Sequence, residues 1–584
     1  MDSWSVVAAQ DPRARPDSAP RTTGPVDLGR FRRCARPARS PGWAEPAAAG
    51  LEETMRRAPI PSLAACLCAL ALLATACGGA DRSAGPPVDG ATFTYVISAD
   101  PGNLDPHQTV LSVTNDFNTL TYDTLVAYDA DNEMVSGIAG SWEADATSAT
   151  FTLRPDVVCD DGTPMTASVV QANFDYLKDP ANASPLIGTT LPHRDFTTTA
   201  DDAAGTVTVT MARPYGFLLE AVATLPIVCP AGLADRELLA RGSAGTGPFT
   251  LTEAVAGDHY TLVRREGYTW GPGGASTDAA GFPDRVVVRI VDNEATAANL
   301  LLAGDVNAAA ITGVDQERLR VRGMFESSTD RITGQLWFNH KQGHPGSDPA
   351  VRRALTLALD LHELRMVMTS GLGSAPTAMA VLEPRGCTGD TVAGTLPAQD
   401  VEAARRALDE AGWTVGADGT RSRDGTPLTL RLLYKSGFDD LSAGMELLAR
   451  RWQENLAVVV ESQAMTDTGI IEATFGGDAW DVANLPLNAY LPVTISPFAT
   501  GALPPEGSNY TAIDNPLYTD LSAQAQVTAG EAGCELWNRA EAALFSAFDV
   551  VPIAQAPRPV FGSGARFGSR GGAVIPTSIT MPAG

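Results

Sequence analysis

Mixed β-sheets covered by helices, an α/β fold, are predicted by three features of the hydrophobic pattern. Thr206–Met211 (TVTVTM) alternates strictly, as a half-buried strand does. After Asp348-Pro349, the residues Val351, Leu355, Ala358, Leu361, Leu364 and Met368 recur at helical spacing. Leu428–Tyr434, Leu441–Leu456 and Val458–Ser462 then read strand, helix, strand, a unit whose right-handed crossover makes its strands parallel.

In chain order, Ala91–Ser98 (ATFTYVIS) alternates like a strand and Asp100-Pro101-Gly102-Asn103 turns the chain. Residues Asn115 to Val126 are expected to be helical, with Phe117, Leu120 and Leu125 on or near one face. Thr150–Leu153 is a short strand before the Asp160-Asp161-Gly162-Thr163-Pro164 turn. Thr166 can cap a helix whose Val169, Val170, Asn173, Phe174 and Leu177 share a face. Gln335–Asn339 (QLWFN) is a strand, and Asp348 is an N-cap with Pro at the first helical position. Val401, Ala404, Leu408 and Ala411 mark a further helix that Gly412 stops.

The chain has 584 residues, 44% of them apolar, and a formal charge of −26. That length allows more than one lobe. The acidic balance argues against nucleic acid or an anionic membrane surface as a partner. Met55–Gly79 opens with Arg56-Arg57, continues apolar from Leu63 to Ala76 and closes on small residues before Cys77. This is the build of a secretory signal peptide, and the run is too short for the ~20 residues a membrane span needs. Ala74-Thr75-Ala76-Cys77 resembles the lipobox of bacterial lipoproteins, which implies acylation of Cys77 and an extracytoplasmic protein anchored to the cell membrane by lipid. Residues 1–54, rich in Arg, Pro and Ala and without periodicity, are expected to be a non-native or disordered leader, with translation beginning at Met55. The segments that follow are a signal peptide over 55–76 and a Gly/Pro tether over 77–90.

Past the signal, four cysteines remain: Cys159, Cys229, Cys387 and Cys534. Their spacing is wrong for a local zinc knuckle, and an oxidising compartment favours disulfides, pairing Cys159 with Cys229 and Cys387 with Cys534 within each half of the chain. Enzyme motifs are missing: no G-x-S-x-G, H-E-x-x-H, Walker loop or strand-linked G-x-G-x-x-G occurs. His340 and His344 are four apart, but Gly343 and Pro345 break any helix there, so they are expected in a solvated loop with no metal.

The order of motifs resembles the bacterial extracellular solute-binding proteins of family 5, the peptide/nickel type that serves ABC importers. The motifs are Asn103-Leu104-Asp105-Pro106, Tyr122-Asp123-Thr124-Leu125-Val126, Ala139-Gly140-Ser141-Trp142-Glu143, Phe151–Val170, Gly245-Thr246-Gly247-Pro248-Phe249, Trp337-Phe338-Asn339, Val351–Leu355 and Leu359-Asp360. The resemblance implies a two-lobed, periplasmic-binding-protein-like clamshell of type II, the large peptide-binding class. Lobe I would take 91–312, lobe II 313–548, and 549–584 would return to lobe I, with a hinge near Ile311–Gly313 and Asp549–Val551. Gly245 and Gly247 would permit a backbone turn.

In peptide-binding relatives a W-x-A-D-Y segment supplies an aspartate for the ligand's amino terminus. The corresponding stretch here is Trp480–Tyr490, where Asn488 or one of its neighbours stands in place of the acid. The ligand-binding candidates are therefore Asn488 as a neutral hydrogen-bonding group, Tyr490 as an aromatic wall, and Asn103 from the first lobe; Trp337 is assigned to the core. The resemblance implies a monomer that binds a small-molecule or peptide ligand and partners ABC permease subunits, without catalysis, cofactor or nucleic acid. An envelope peptide receptor or chaperone without transport, and a secreted hydrolase, are the competing functions.

Overall fold

The computed structural model describes residues 86–582. The leader, the signal peptide, Cys77 and residues 77–85 of the tether lie outside the described residues. Within the expected tether the chain is already docked at its far end: Pro87 bridges Pro582, and the Val88 amide donates to the Met581 carbonyl at 2.8 Å.

Two long strands organise the molecule. Phe325–Phe338 and Val550–Gly562 run antiparallel over their whole length, from Phe325 opposite Gly562 to Trp337 opposite Val550. Different flanks attach to the two halves of this ribbon. At the 562 end, Ala308–Ala310 pairs with it, followed by Thr92–Ile97, Arg285–Ile290, His259–Arg264 and Phe249–Val255. At the 338 end, Val482–Asn484 pairs with it, followed by Thr429–Lys435 and Val459–Met465. The ten strands form one mixed sheet. Thr429–Lys435 and Val459–Met465 are parallel, as the crossover rule requires, with the helix Asp439–Leu456 between them.

Each half has its own core. On one side Phe93, Phe249, Val286 and Val560 pack together, beside a second cluster in which Phe151, Phe174, Val207 and Val209 join a four-stranded antiparallel sheet to the helix Ala167–Lys178. On the other side Leu336, Leu355, Leu432, Trp452 and Val551 form a separate core. Leu319 and Ile311 pack with Val96 and Phe561, so the chain around 311–321 belongs to the first body, and the passage to the second occurs inside the ribbon. The result is the expected two-lobed architecture. The structure joins Cys159 to Cys229 in the first lobe and Cys387 to Cys534 in the second.

Local chemistry accounts for the helix boundaries. Thr166 Oγ1 accepts from the Val169 amide, and Asp348 Oδ1 from the Ala350 amide at 2.9 Å. The single helix expected after Pro349 is two, Pro349–Leu357 and Leu361–Met368. Asp360 divides them because its carboxylate accepts from the His362 and Glu363 amides, which starts a new helix. The helix expected over 115–126 is Ser112–Asn118 instead, and Val126 already begins the strand Val126–Tyr128. The carboxylate of Asp123 is recruited by Tyr268, Trp270 and Thr246, which pulls the intervening chain out of helical register.

Candidate ligand-binding site

Where the ribbon passes between lobes, a bulge interrupts its ladder between Ile332, Gly334 and Gln335. A bulge leaves backbone groups without their ladder partners. Two asparagines four residues apart supply substitutes. Asn484 Oδ1 accepts from the Gln335 amide at 2.8 Å and its Nδ2 donates to the Thr333 carbonyl. Asn488 Oδ1 accepts from the Ile332 amide at 2.9 Å and its Nδ2 donates to the Ile332 carbonyl at 3.3 Å. Side-chain amides, which carry both a donor and an acceptor, mimic the peptide groups a neighbouring strand would offer.

Beside this crossing lies a cavity of about 840 Å³, within the range of small-molecule sites. The first lobe contributes Tyr128, Asp129 and Asn132 and the segment 568–578; the second contributes Thr377, Val381, Glu383 and Arg385; the ribbon contributes Ser327–Asp330 and Gln555. Half of the lining side chains carry a hydroxyl or an amide, and the charges are largely spoken for. Asp129 Oδ1 accepts from the Asp131 and Glu133 amides, and Arg570 donates from Nε to Asn132 and from its terminal nitrogen to the Asp129 carbonyl. Glu383 accepts from Arg385 Nε at 2.8 Å, and Arg385 reaches Thr377 at 3.2 Å. Asp330, exposed at the floor, accepts one hydrogen bond there, from Gln555 Nε2 at 3.0 Å.

None of the three sequence-derived ligand candidates lines this cavity. Asn488 spends both polar atoms on the ribbon. Asn103 is exposed and its Oδ1 accepts from the Asp105 amide, shaping the turn after the first strand. Tyr490 is 41% exposed and faces the opposite lobe, its hydroxyl close to Gly571. Burial raises the Tyr490 phenol above its ordinary value and Asp116 adds to this, while Arg331 and Arg570 oppose it. Asp116 itself is pushed up to about 7 by burial, against the pull of Arg331 and Arg558. Trp337 is fully buried, its Nε1 donating to the Leu485 carbonyl at 2.9 Å.

A sequence signal for the cavity floor exists. The run Glu326-Ser327-Ser328-Thr329-Asp330-Arg331 is polar at every position and precedes, in the same strand, the apolar Leu336-Trp337-Phe338. A strand polar on both faces has no core on either side, which fits a segment exposed between lobes. Glu383 and Arg385 sit in a loop and carry no such signal.

The glycines of the 245–249 motif serve close approach rather than a special turn. A Cβ on Gly245 would lie 2.2 Å from the Thr121 carbonyl oxygen, and one on Gly247 2.5 Å from the Thr121 carbonyl carbon. The motif lies flat on 120–122, with Gly247 and Phe249 amides donating to Thr121 and Leu120 carbonyls at 3.0 Å. His340 and His344 are buried rather than solvated. Nδ1 of His344 lies 2.8 Å from Asp481, which Arg431 also grips, and burial with nearby Arg352 lowers His340 to about 3. No group of three or more His, Cys, Asp or Glu placed to hold a metal occurs among the described residues. Nor is any helix among them long and apolar enough to cross a membrane.

Comparison with known proteins gives the family. The profile described as "Bacterial extracellular solute-binding proteins, family 5 Middle" matches residues 133–502. Protein XP55 of Streptomyces lividans is 30% identical over 408 residues, 66% of this chain and 69% of that protein. The periplasmic murein peptide-binding protein MppA of Escherichia coli (strain K12) is 25% identical over 513 residues, 79% of this chain and 86% of that one. A substrate-binding protein from Microbacterium hydrocarbonoxydans, solved with 4-hydroxybenzoate hydrazide, superposes with a TM-score of 0.62 at 26% identity, covering 84% of this chain and all of that one. With two lobes joined by a crossing ribbon and a cavity between them, this chain belongs to the extracellular solute-binding proteins of family 5, which bind their ligands without transforming them.

Proposed function

We propose that the protein is the lipid-anchored binding component of an ABC importer, enclosing an oligopeptide-like or other medium-sized solute between its lobes and delivering it to a membrane permease. The observation that carries this reading is the cavity of about 840 Å³ between two lobes linked by a two-stranded crossing. A joint of two strands lets the lobes close on a ligand as bodies, and a permease can then read occupancy as shape. Anchoring through acylated Cys77 would hold the monomeric receptor beside its permease. The division into lobes expected at 91–312, 313–548 and 549–584 is part of the proposal, and in this reading the joint lies in the ribbon near 332–335 and 553–555, supported by the interrupted ladder there and by the packing of Leu319 with Val96 and Phe561. In this reading Tyr490 acts at the rim of the cleft, Asn103 shapes the loop after the first strand, and Asn488 acts on the crossing.

Native mass spectrometry of protein recovered from its own envelope, paired with uptake by cells lacking the neighbouring permease genes, tests the function. A bound small solute whose uptake depends on both genes supports it. A bound solute whose uptake ignores the permease would make the protein a receptor or chaperone instead. Metabolic labelling with palmitate, lost in Cys77→Ala, tests the anchor.

A further inference from the structure

The two disulfides sit in different surroundings. Cys159 and Cys229 are 1% and 0% exposed, inside the core of the first lobe. Cys387 and Cys534 are half-buried, and the residues that follow them, Thr388 and Glu535, are exposed. Cys534 lies in the helix Gly530–Ser546, and Cys387 ends a loop that meets three partners. Glu383 and Arg385 of that loop line the cavity. Gly386 abuts the first lobe, since a Cβ there would lie 3.1 Å from the Phe217 ring. Cys387 packs in the interlobe cluster with Phe217, Leu491 and Trp537, the last of these one helical turn beyond Cys534.

One covalent bond therefore ties together a cavity wall, the seat of Phe217 and the helix that carries Trp537. The loop's other ties are hydrogen bonds within the second lobe. The Gly386 amide donates to the Tyr490 carbonyl at 2.9 Å, Asn538 Nδ2 to the Thr388 carbonyl at 3.1 Å, and Thr391 Oγ1 to Glu541 at 2.8 Å. These keep the loop folded on its lobe when the bridge is cut. Two thiols, however, need van der Waals separation where bonded sulfurs do not, so Cys387 must move from the helix and disturb the seat of Phe217. An accessible disulfide is also the more readily reduced kind. A thiolate of a dithiol attacks one sulfur and expels the other as a thiolate. The second thiol of the reductant then resolves the mixed disulfide, leaving Cys387 and Cys534 as thiols and the reductant as a disulfide. Two electrons and two protons have passed to the bridge. We propose that Cys387–Cys534 is a redox gate on the contact between the lobes: reduction by a dithiol loosens the seat of Phe217, and reoxidation restores it. The consequence for binding, weaker retention of solute by the reduced protein, rests on the cleft being a solute site.

The test treats the full folded protein with dithiothreitol under native conditions, and differential alkylation maps which pair opens. Hydrogen exchange at Gly216 reads the contact, because its amide donates to the Gln526 carbonyl of the other lobe. A bridge that only braced the second lobe would leave this first-lobe amide unchanged. Cys387–Cys534 is expected to open while Cys159–Cys229 stays paired. Gly216 should then exchange about threefold to tenfold faster, the loss of one well-seated aromatic pair, and oxidised glutathione should reverse the change. The Cys387→Ala/Cys534→Ala double variant should exchange fast without reductant and ignore dithiothreitol; where it fails to fold, the reversal in the wild type decides. Equal resistance of both disulfides, an opened bridge with unaltered exchange at Gly216, or a response retained in the double variant would overturn the inference. So would loss of the circular dichroism signal on reduction, which would make the bridge a structural one. Native mass spectrometry of the same samples keeps the two readings apart. A co-purifying small molecule released on reduction ties the gate to binding, whereas a protein that never carries one counts against the solute-binding reading, and exchange at Gly216 still decides the gate.

Discussion

Away from the ribbon, the two lobes also touch around Phe217, and substitution there tests how firmly that contact holds them together. Tyr215 and Phe217 of the first lobe pack against Ala525, Trp537, Leu491 and Leu536 of the second. The Phe217 and Trp537 rings stack with centroids 6.4 Å apart. Between them the Gly216 amide donates to the Gln526 carbonyl at 2.6 Å. A Cβ on Gly216 would sit 2.6 Å from the Thr528 carbonyl oxygen and 2.7 Å from that of Ala525. Both obstacles are backbone, so Gly216→Ala forces the loop back by about 0.8 Å to reach ordinary contact. That retreat breaks a hydrogen bond worth ~1 kcal/mol and loosens an aromatic pair worth ~0.5–1.5 kcal/mol. Together about 2 kcal/mol of closed-state stabilisation disappears, a shift of roughly 30-fold in the closed-to-open ratio. Neither lobe's core includes the residue, so global stability should hold. Small-angle scattering or a fluorescence pair across the lobes reads the population, and calorimetry reads a ligand affinity weakened by up to the same factor. An unchanged distance distribution together with unchanged affinity would refute the idea that this contact holds the lobes together.

Further expectations follow from the other contacts. Asn488→Ala leaves the Ile332 amide without its acceptor at a partly buried bulge, which should cost about 1–3 kcal/mol in urea unfolding; a stability loss below ~0.5 kcal/mol would show that the asparagine does not hold the crossing. Asp123 is raised from its ordinary 3.8 to about 6 by burial, only partly offset by donors from Trp270, Thr246 and Tyr268. A carboxyl raised in the folded state binds its proton more tightly there, so its stabilisation is full below 3.8 and fades as pH rises through about 6. Asp123→Asn should remove that dependence, and a stability difference between wild type and variant that stays flat from pH 4 to 7 would contradict it. The disulfides close loops with sequence separations of 70 and 147, for which chain entropy predicts ~4 and ~5 kcal/mol as upper figures. Replacing either pair by alanines should lower the melting temperature, and an unaltered melt would exclude a stabilising role.

Much of the architecture was legible because burial imposes periodicity. Thr206–Met211, the helix after Thr166 and the Thr429–Met465 unit all lie where alternation or helical spacing placed them. Local rules failed where a distant group competes. Thr119–Leu125 has helix-compatible residues, yet Asp123 is claimed by partners more than a hundred residues away. Asp360 restarts a helix inside a continuous apolar stripe, a break that spacing alone hides but an internal N-cap residue announces. The cleft was hardest to read. Asn488 was found as a distinctive position, but whether its amide faces a ligand or a backbone depends on the bulge in a strand 156 residues earlier. His340 and His344 were expected in water because glycine and proline surround them; their acidic partners, Asp549 and Asp481, come from elsewhere in the chain.

The most direct measurement is native mass spectrometry of the protein taken from its own envelope, repeated after prolonged incubation of the complex. An intact, non-covalently held solute whose mass stays constant, and which dissociates unchanged on denaturation, is the expected result. A chain that never carries a small molecule, or one from which the molecule emerges cleaved, would contradict the view that these lobes enclose a solute and hand it on unaltered.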